Sequence, residues 1–146
     1  GLNVLKTDTV AKVKELTKGR MADVVFEVTG NQHLLPKEFV YLKKQGRFIV
    51  LSSPRGPTKF DFHDLCNSPS YKIIGTHTLS HPAFETPYNP WTKKRNVELF
   101  YDLVQTKMFK LHNLISHKAH YTKAPSIYRK LLKDRSKAMG VILDWE

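Results

Sequence analysis

Ala22-Asp-Val-Val-Phe-Glu-Val-Thr-Gly30, Gly46-Arg-Phe-Ile-Val-Leu-Ser-Ser53 and Tyr71-Lys-Ile-Ile-Gly-Thr-His77 are three short apolar runs, each closed by a polar or glycine-containing corner. Runs rich in β-branched and aromatic residues, with little polar alternation, suit strands covered on both faces, as in a parallel sheet. The segments between them allow crossovers, so the pattern reads βαβ followed by a further strand. In such sheets ligands sit beyond the carboxyl ends of the strands. Those ends are Val28-Thr29-Gly30, Leu51-Ser52-Ser53 and Gly75-Thr76-His77, and function is expected there.

Outward from the runs, Thr7-Asp8-Thr9 offers N-cap residues, and Val10, Val13 and Leu16 recur at helical spacing until Gly19, predicting a helix over 8–18. Leu35, Phe39 and Leu42 make an i, i+4, i+7 stripe between Pro36 and Gly46, which predicts a helix ending near 44 and a strand over 47–52. Ser53-Pro-Arg-Gly-Pro57 is a loop by composition, and residues 60–65 read as a short helix or irregular structure. Pro82, Pro87 and Pro90 exclude a long regular element over 78–90. Helices are expected over 91–107 and 124–134, and short strands through 121 and over 139–143.

The 146 residues suffice for one ordinary core, burying about two-thirds of the unfolded surface. A 40% hydrophobic content fits a soluble globular class, and no apolar run is long enough to span a bilayer. Cys66 has no cysteine partner, so an intracellular, cytoplasmic setting is expected and a cysteine-rich zinc site within the chain is excluded. The 24 basic against 13 acidic residues give a net charge of +11, which raises a polyanion partner. The basic residues are dispersed over solvated helix faces and no nucleic-acid motif accompanies them, so nucleic acid is not the expected partner.

At this point the residues resemble a known family. Ala22 to Gly30, then Leu42 and Gln45-Gly46-Arg47-Phe-Ile-Val50, are similar to the later half of the nucleotide-binding domain of medium-chain, zinc-type alcohol dehydrogenases. The likeness continues through Tyr71-Lys-Ile-Ile-Gly75, Leu114-Ile-Ser-His117, Ala124-Pro-Ser-Ile-Tyr128 and Gly140-Val-Ile-Leu-Asp-Trp145. The order of these motifs, shared with the polyol and threonine dehydrogenase branches, makes the match specific.

The resemblance implies an α/β fold: a partial Rossmann-type parallel sheet flanked by helices. Residues 1–110 would be the later part of the nucleotide-binding domain. Residues 111–146 would be a C-terminal extension that packs on the catalytic domain. It implies an oxidoreductase moving hydride between NAD or NADP and an alcohol or polyol. Val28, Thr29, Gly30, Leu51, Ser52, Ser53, Gly75, Thr76 and His77 would line the nicotinamide side of the cofactor. No catalytic residue and no zinc ligand is expected in this chain; the zinc would sit in the catalytic domain.

Two departures stand out. The glycine-rich G-x-G-x-x-G turn that carries the pyrophosphate has no counterpart among the seven dispersed glycines. Neither has the charged residue that tells NAD from NADP. The chain begins about where the family's third strand would lie, near Leu2-Asn-Val-Leu5, and is therefore expected to be the C-terminal portion of a larger enzyme. Alone it should be inactive, marginally stable or oligomeric, a homo-oligomer being expected, with Trp145, Val141 and Leu143 among the unprotected groups. A zinc-free quinone or enoyl reductase of the same superfamily, and a non-enzymatic polyanion-binding module, are the alternatives.

Other side chains carry blander expectations. His77-x-x-x-His81 lies beside Pro82 outside a convincing helix, and His117-x-x-His120 falls on a predicted strand whose residues three apart face opposite sides, so neither pair is expected to hold a metal. His77 is read as polar surface ahead of a proton relay, and Cys66 as an inert thiol. Glu27, inside an apolar strand, needs a partner, and neighbouring backbone or a lysine is the expected one.

Overall fold

The computed structural model describes residues 1–146. They form two compact units, Gly1–His81 and Pro82–Glu146.

The first unit carries helix α1 (Thr9–Leu16), whose N-cap Asp8 accepts the Ala11 amide, and a three-stranded parallel sheet. Its strands are β1 (Ala22–Glu27), β2 (Leu42–Val50) and β3 (Lys72–Gly75), paired in that order. Glu27, Val50 and Gly75 are in register, so the three strands finish at one rim, as the sequence pattern requires.

The connection from β1 to β2 differs from expectation. In place of a helix running to 44 there is a 3-10 segment, Leu35–Tyr41, and β2 starts directly after it at Leu42. Ala22 pairs with Leu42 but Val24 with Arg47, so Lys43–Gly46 bulge out opposite Asp23. Gln45 takes φ 61° there and donates its amide to Pro69 O at 2.9 Å. Pro36 opens the segment and the pairing of Leu42 with Ala22 closes it, so the helical stretch stops at Tyr41 instead of running to 44. The Leu35, Phe39 and Leu42 stripe is nonetheless a core stripe: Phe39 and Leu42 are buried and Leu35 packs on them. Of residues 60–65, the first two are irregular and the rest enter a short π-helix over His63–Asn67, in line with the short-helix alternative.

The core lies on one face of the sheet. Phe48 stacks on Phe39 with ring centroids 4.0 Å apart, and Phe60 and Tyr71 close the cluster edgewise and tilted. The opposite face is open, against the expectation of strands covered on both sides. Phe26, Ile49 and Ile74 are register partners across the three strands, yet Phe26 is 60% and Ile74 39% exposed.

The second unit holds helix α2 (Lys93–Gln105), N-capped by Thr92, and a parallel β4-α3-β5 module. The module comprises β4 (Ile115–His120), α3 (Ala124–Lys133) with Pro125 in its first turn, and β5 (Gly140–Asp144). Trp145 is exposed but stacks on Tyr121 at 5.4 Å. Val141 and Leu143, expected to be unprotected, are half-buried, and Ile142 is the exposed residue of the strand. The pleat explains this: 141 and 143 share a face, and Val141 lines the cleft under α3.

A Cβ on Gly140 would lie 2.6 Å from Leu114 O, which is backbone and cannot yield without moving β4. Gly140→Ala is therefore expected to destabilise the β4–β5 pair by about 1–3 kcal/mol. Amide hydrogen exchange in 141–144 should accelerate selectively; unchanged protection there would refute the crowding.

Candidate functional site

Beyond the rim, the corners are built around one carboxylate. Glu27 is fully buried at the end of β1. Its Oε1 accepts the Thr29 amide at 2.7 Å, the Thr29 hydroxyl at 2.6 Å and the Gly30 amide at 2.9 Å. Its Oε2 accepts the Ser52 hydroxyl, and Ser52 Oγ in turn accepts the Gly30 amide at 3.0 Å. The Glu27 carbonyl also accepts the amides of Leu51 and Ser52, each at 3.1 Å. Burial alone would push this carboxyl up, but the donors from Ser52, Thr29 and Gly30 together outweigh it and hold it below the ordinary glutamate value. The expectation of a strand-end acid serving backbone is met, and no lysine is involved.

Gly30 takes φ +68°, and a Cβ there would stand 3.2 Å from Ser53 O. Glycine is thus required both by conformation and by the close approach of the second corner. The third corner ties to the second through Thr76, whose amide and hydroxyl both donate to Val50 O, at 3.1 and 3.0 Å. His77 caps a short 3-10 turn (Thr78–Ser80), its Nδ1 accepting the Leu79 amide at 3.1 Å.

Leu51, Ser53, Thr76 and His77 line a single cleft of about 250 Å³, joined by Thr78 and His81. Val28, Thr29, Gly30 and Ser52 belong to the corner knotted by Glu27, and Gly75 ends β3 with open space where a Cβ would lie. Of the hydroxyls of Thr29, Ser52, Ser53 and Thr76, only that of Ser53 makes no hydrogen bond within the protein. Side chains therefore shape the rim, the amides of Thr29, Gly30, Leu51, Ser52 and Thr76 are likewise bonded within the protein, and the Ser53 hydroxyl is left without an internal partner. Sequence reasoning missed Thr78 and His81, which the 3-10 turn brings round to the cleft; the prolines from 82 onward gave no sign of that turn. Thr29 and Ser52, both expected to line the cofactor, have their hydroxyls claimed by Glu27, an acid two residues before Thr29.

Glu38 lies on the 3-10 segment with Oε2 enclosed and without a hydrogen-bond partner. Burial, and next the charge of Glu27, push its carboxyl up.

The remaining candidates lie apart from the rim. Cys66 is half-buried, with Sγ 3.7 Å from Tyr71 O. His117 contacts Ser116 and Lys130, whereas His120 bonds Thr122 and packs on Tyr121. No three His, Cys, Asp or Glu side chains come together as metal ligands, so the residues present do not fit a zinc ion and no step is derived through one. No helix is long and apolar enough to cross a membrane.

Parallel strands ending flush at a rim of glycine and hydroxyl corners define a Rossmann-type α/β protein. Residues 2–94 match the family model of the zinc-binding dehydrogenases, and the chain belongs to that family. No curated protein sequence matches it. Among solved structures it is similar to galactitol-1-phosphate dehydrogenase from Escherichia coli (12% identity, TM-score 0.73), over 97% of this chain and 39% of that one. It is likewise similar to benzyl alcohol dehydrogenase from Acinetobacter calcoaceticus (20% identity, TM-score 0.70), over 97% and 35%. A third similar structure is an Escherichia coli alcohol dehydrogenase complexed with NADH (13% identity, TM-score 0.71), over 99% and 38%. The chain thus spans 35–39% of the length of these three proteins.

Proposed function

We propose that this chain supplies the nicotinamide-side part of the cofactor site in an NAD(P)-dependent oxidoreductase acting on an alcohol or polyol. The observation that carries the reading is the cleft at the common strand rim, lined by Leu51, Ser53, Thr76 and His77 beside the Gly30 corner. A bound nicotinamide supplies a hydride acceptor or donor. The residues of this chain orient it: the amides of Thr29, Gly30, Leu51, Ser52 and Thr76 are bonded within the protein, so the Ser53 hydroxyl and the carbonyls of the three corners not already bonded are the groups proposed to meet a ribose or carboxamide. The Glu27 knot keeps the first two corners at fixed spacing, so those contacts need no reorganisation on binding.

The chain is proposed to work only together with further segments that hold the pyrophosphate half of the cofactor and the catalytic groups. The open row of Phe26, Ile49 and Ile74 supports this, since such a face asks for cover. Residues 111–146 are proposed to pack on the catalytic domain, and the assembled enzyme to be a cytoplasmic homo-oligomer.

Titration of the full chain with NADH, followed by amide NMR, tests the site. Weak binding, in the millimolar range typical of half a site, is expected to shift amides of 28–30, 51–53 and 75–77. Gly30→Val should abolish those shifts, because it forces positive φ on a β-branched residue against Ser53 O. Absence of shifts, with salt-sensitive heparin binding in their place, would overturn the reading in favour of a polyanion module.

A further inference from the structure

We propose that the cleft between α3 and the β4–β5 sheet binds small amphiphilic anions, an aliphatic chain ending in a carboxylate or phosphate. The cleft measures about 510 Å³, within the range of small-molecule sites. Its floor is apolar, from Ala119 on β4, Ile127 and Leu131 on α3, and Val141 on β5.

Two ammonium groups, Lys130 and Lys137, line the same cleft without a carboxylate partner. Lys130 Nζ stands 3.4 Å from His117 Nε2, and His117 Nδ1 stands 2.9 Å from Ser116 Oγ. The Ser116 hydroxyl donates to Gly140 O and accepts the Met139 amide, both at 3.0 Å. Its proton is thereby committed, so the imidazole hydrogen sits on Nδ1 and points at Ser116. On that tautomer Nε2 accepts from Lys130.

The one acid lining the cleft, Asp134, accepts the Ser136 amide at 2.8 Å and pairs with neither lysine. Lys118 is already neutralised by Asp144 at 2.8 Å. The net result is an apolar floor edged by two cations outside any ion pair and one carboxylate, a formal excess of one positive charge. A plain polar anion would leave the floor wet, and a plain hydrocarbon would leave the cations unmatched. A head-and-tail ligand satisfies both.

Calorimetric titration of the full chain with decanoate, below its micelle-forming concentration, tests the assignment. Decanoate and decyl phosphate are expected to bind, the tighter of the two identifying the head group. Decanol and inorganic phosphate should each bind at least about tenfold more weakly, since each lacks half of the complement. Lys130→Gln and Lys137→Gln remove exposed charges and should each weaken decanoate about tenfold with circular dichroism unchanged. Lys133→Gln, a basic change on the same helix outside the cleft, should not. Ala138→Phe, which fills the cleft, should abolish binding. Equal affinity for decanol, an equal effect of Lys133→Gln, or no binding by decanoate would overturn the assignment.

Discussion

Phe48→Ala should unfold the first unit at room temperature. Phe48 is fully buried and stacked on Phe39, and only Phe39 and Leu42 share its degree of burial among apolar residues. Truncating such a ring typically removes about 3–5 kcal/mol, most of what a small domain has. The cluster cannot collapse onto the void, because Phe39 is held by the 3-10 segment and Phe48 by pairing on both sides of β2. Phe26→Ala, an equal truncation on the open face, should change stability by under about 0.5 kcal/mol. Urea denaturation of both variants gives the comparison. Similar midpoints would mean that the core is not where the packing puts it.

Substituting Glu27 comes next in size. Glu27→Ala strands three donors, the Thr29 amide and hydroxyl and the Ser52 hydroxyl, and leaves the Gly30 amide only Ser52 Oγ. A loss of about 3–5 kcal/mol follows from removing the acceptor of several buried donors at once. Glu27→Gln keeps one acceptor oxygen and should lose about 2 kcal/mol. Because the folded carboxyl titrates below its unfolded value, the stability it contributes is complete above about pH 4.5 and disappears as pH falls through the folded value. Glu38 has the opposite sign: its raised value means that protonation favours the folded state, so Glu38→Gln should be stabilising at neutral pH. Denaturant midpoints between pH 3 and 7 separate the two. An acid limb unaltered by Glu27→Gln would remove Glu27 as its origin.

Strand direction and the three corners were legible because period and composition report burial, and β1, β2 and β3 each carry adjacent β-branched residues. The Leu35, Phe39 and Leu42 stripe was legible as core but not as 3-10 structure. Its residues pack through side chains whichever helix type carries them, and what ends the segment at Tyr41 is a pairing between Ala22 and Leu42, twenty residues apart. The bulge at Lys43–Gly46 is tertiary in origin too: Asp23 bonds Lys43 at 2.6 Å, and Gln45 reaches Pro69. At the rim, a glycine corner at Gly30 follows from residue type, and its φ of +68° agrees. The inward turn of Thr29 and Ser52 was not legible, since it depends on an acid that pattern places in a strand and only coordinates place beneath both corners.

The inward-facing hydroxyls set which substitutions matter. The amides of both corners are turned toward a concealed acid, which thereby fixes the contour of the whole ledge. Swapping an outward residue such as Leu51 alters contour locally, whereas swapping Thr29 for valine disturbs two strand tips at once. Mutational sensitivity should therefore be greatest at groups a ligand never touches.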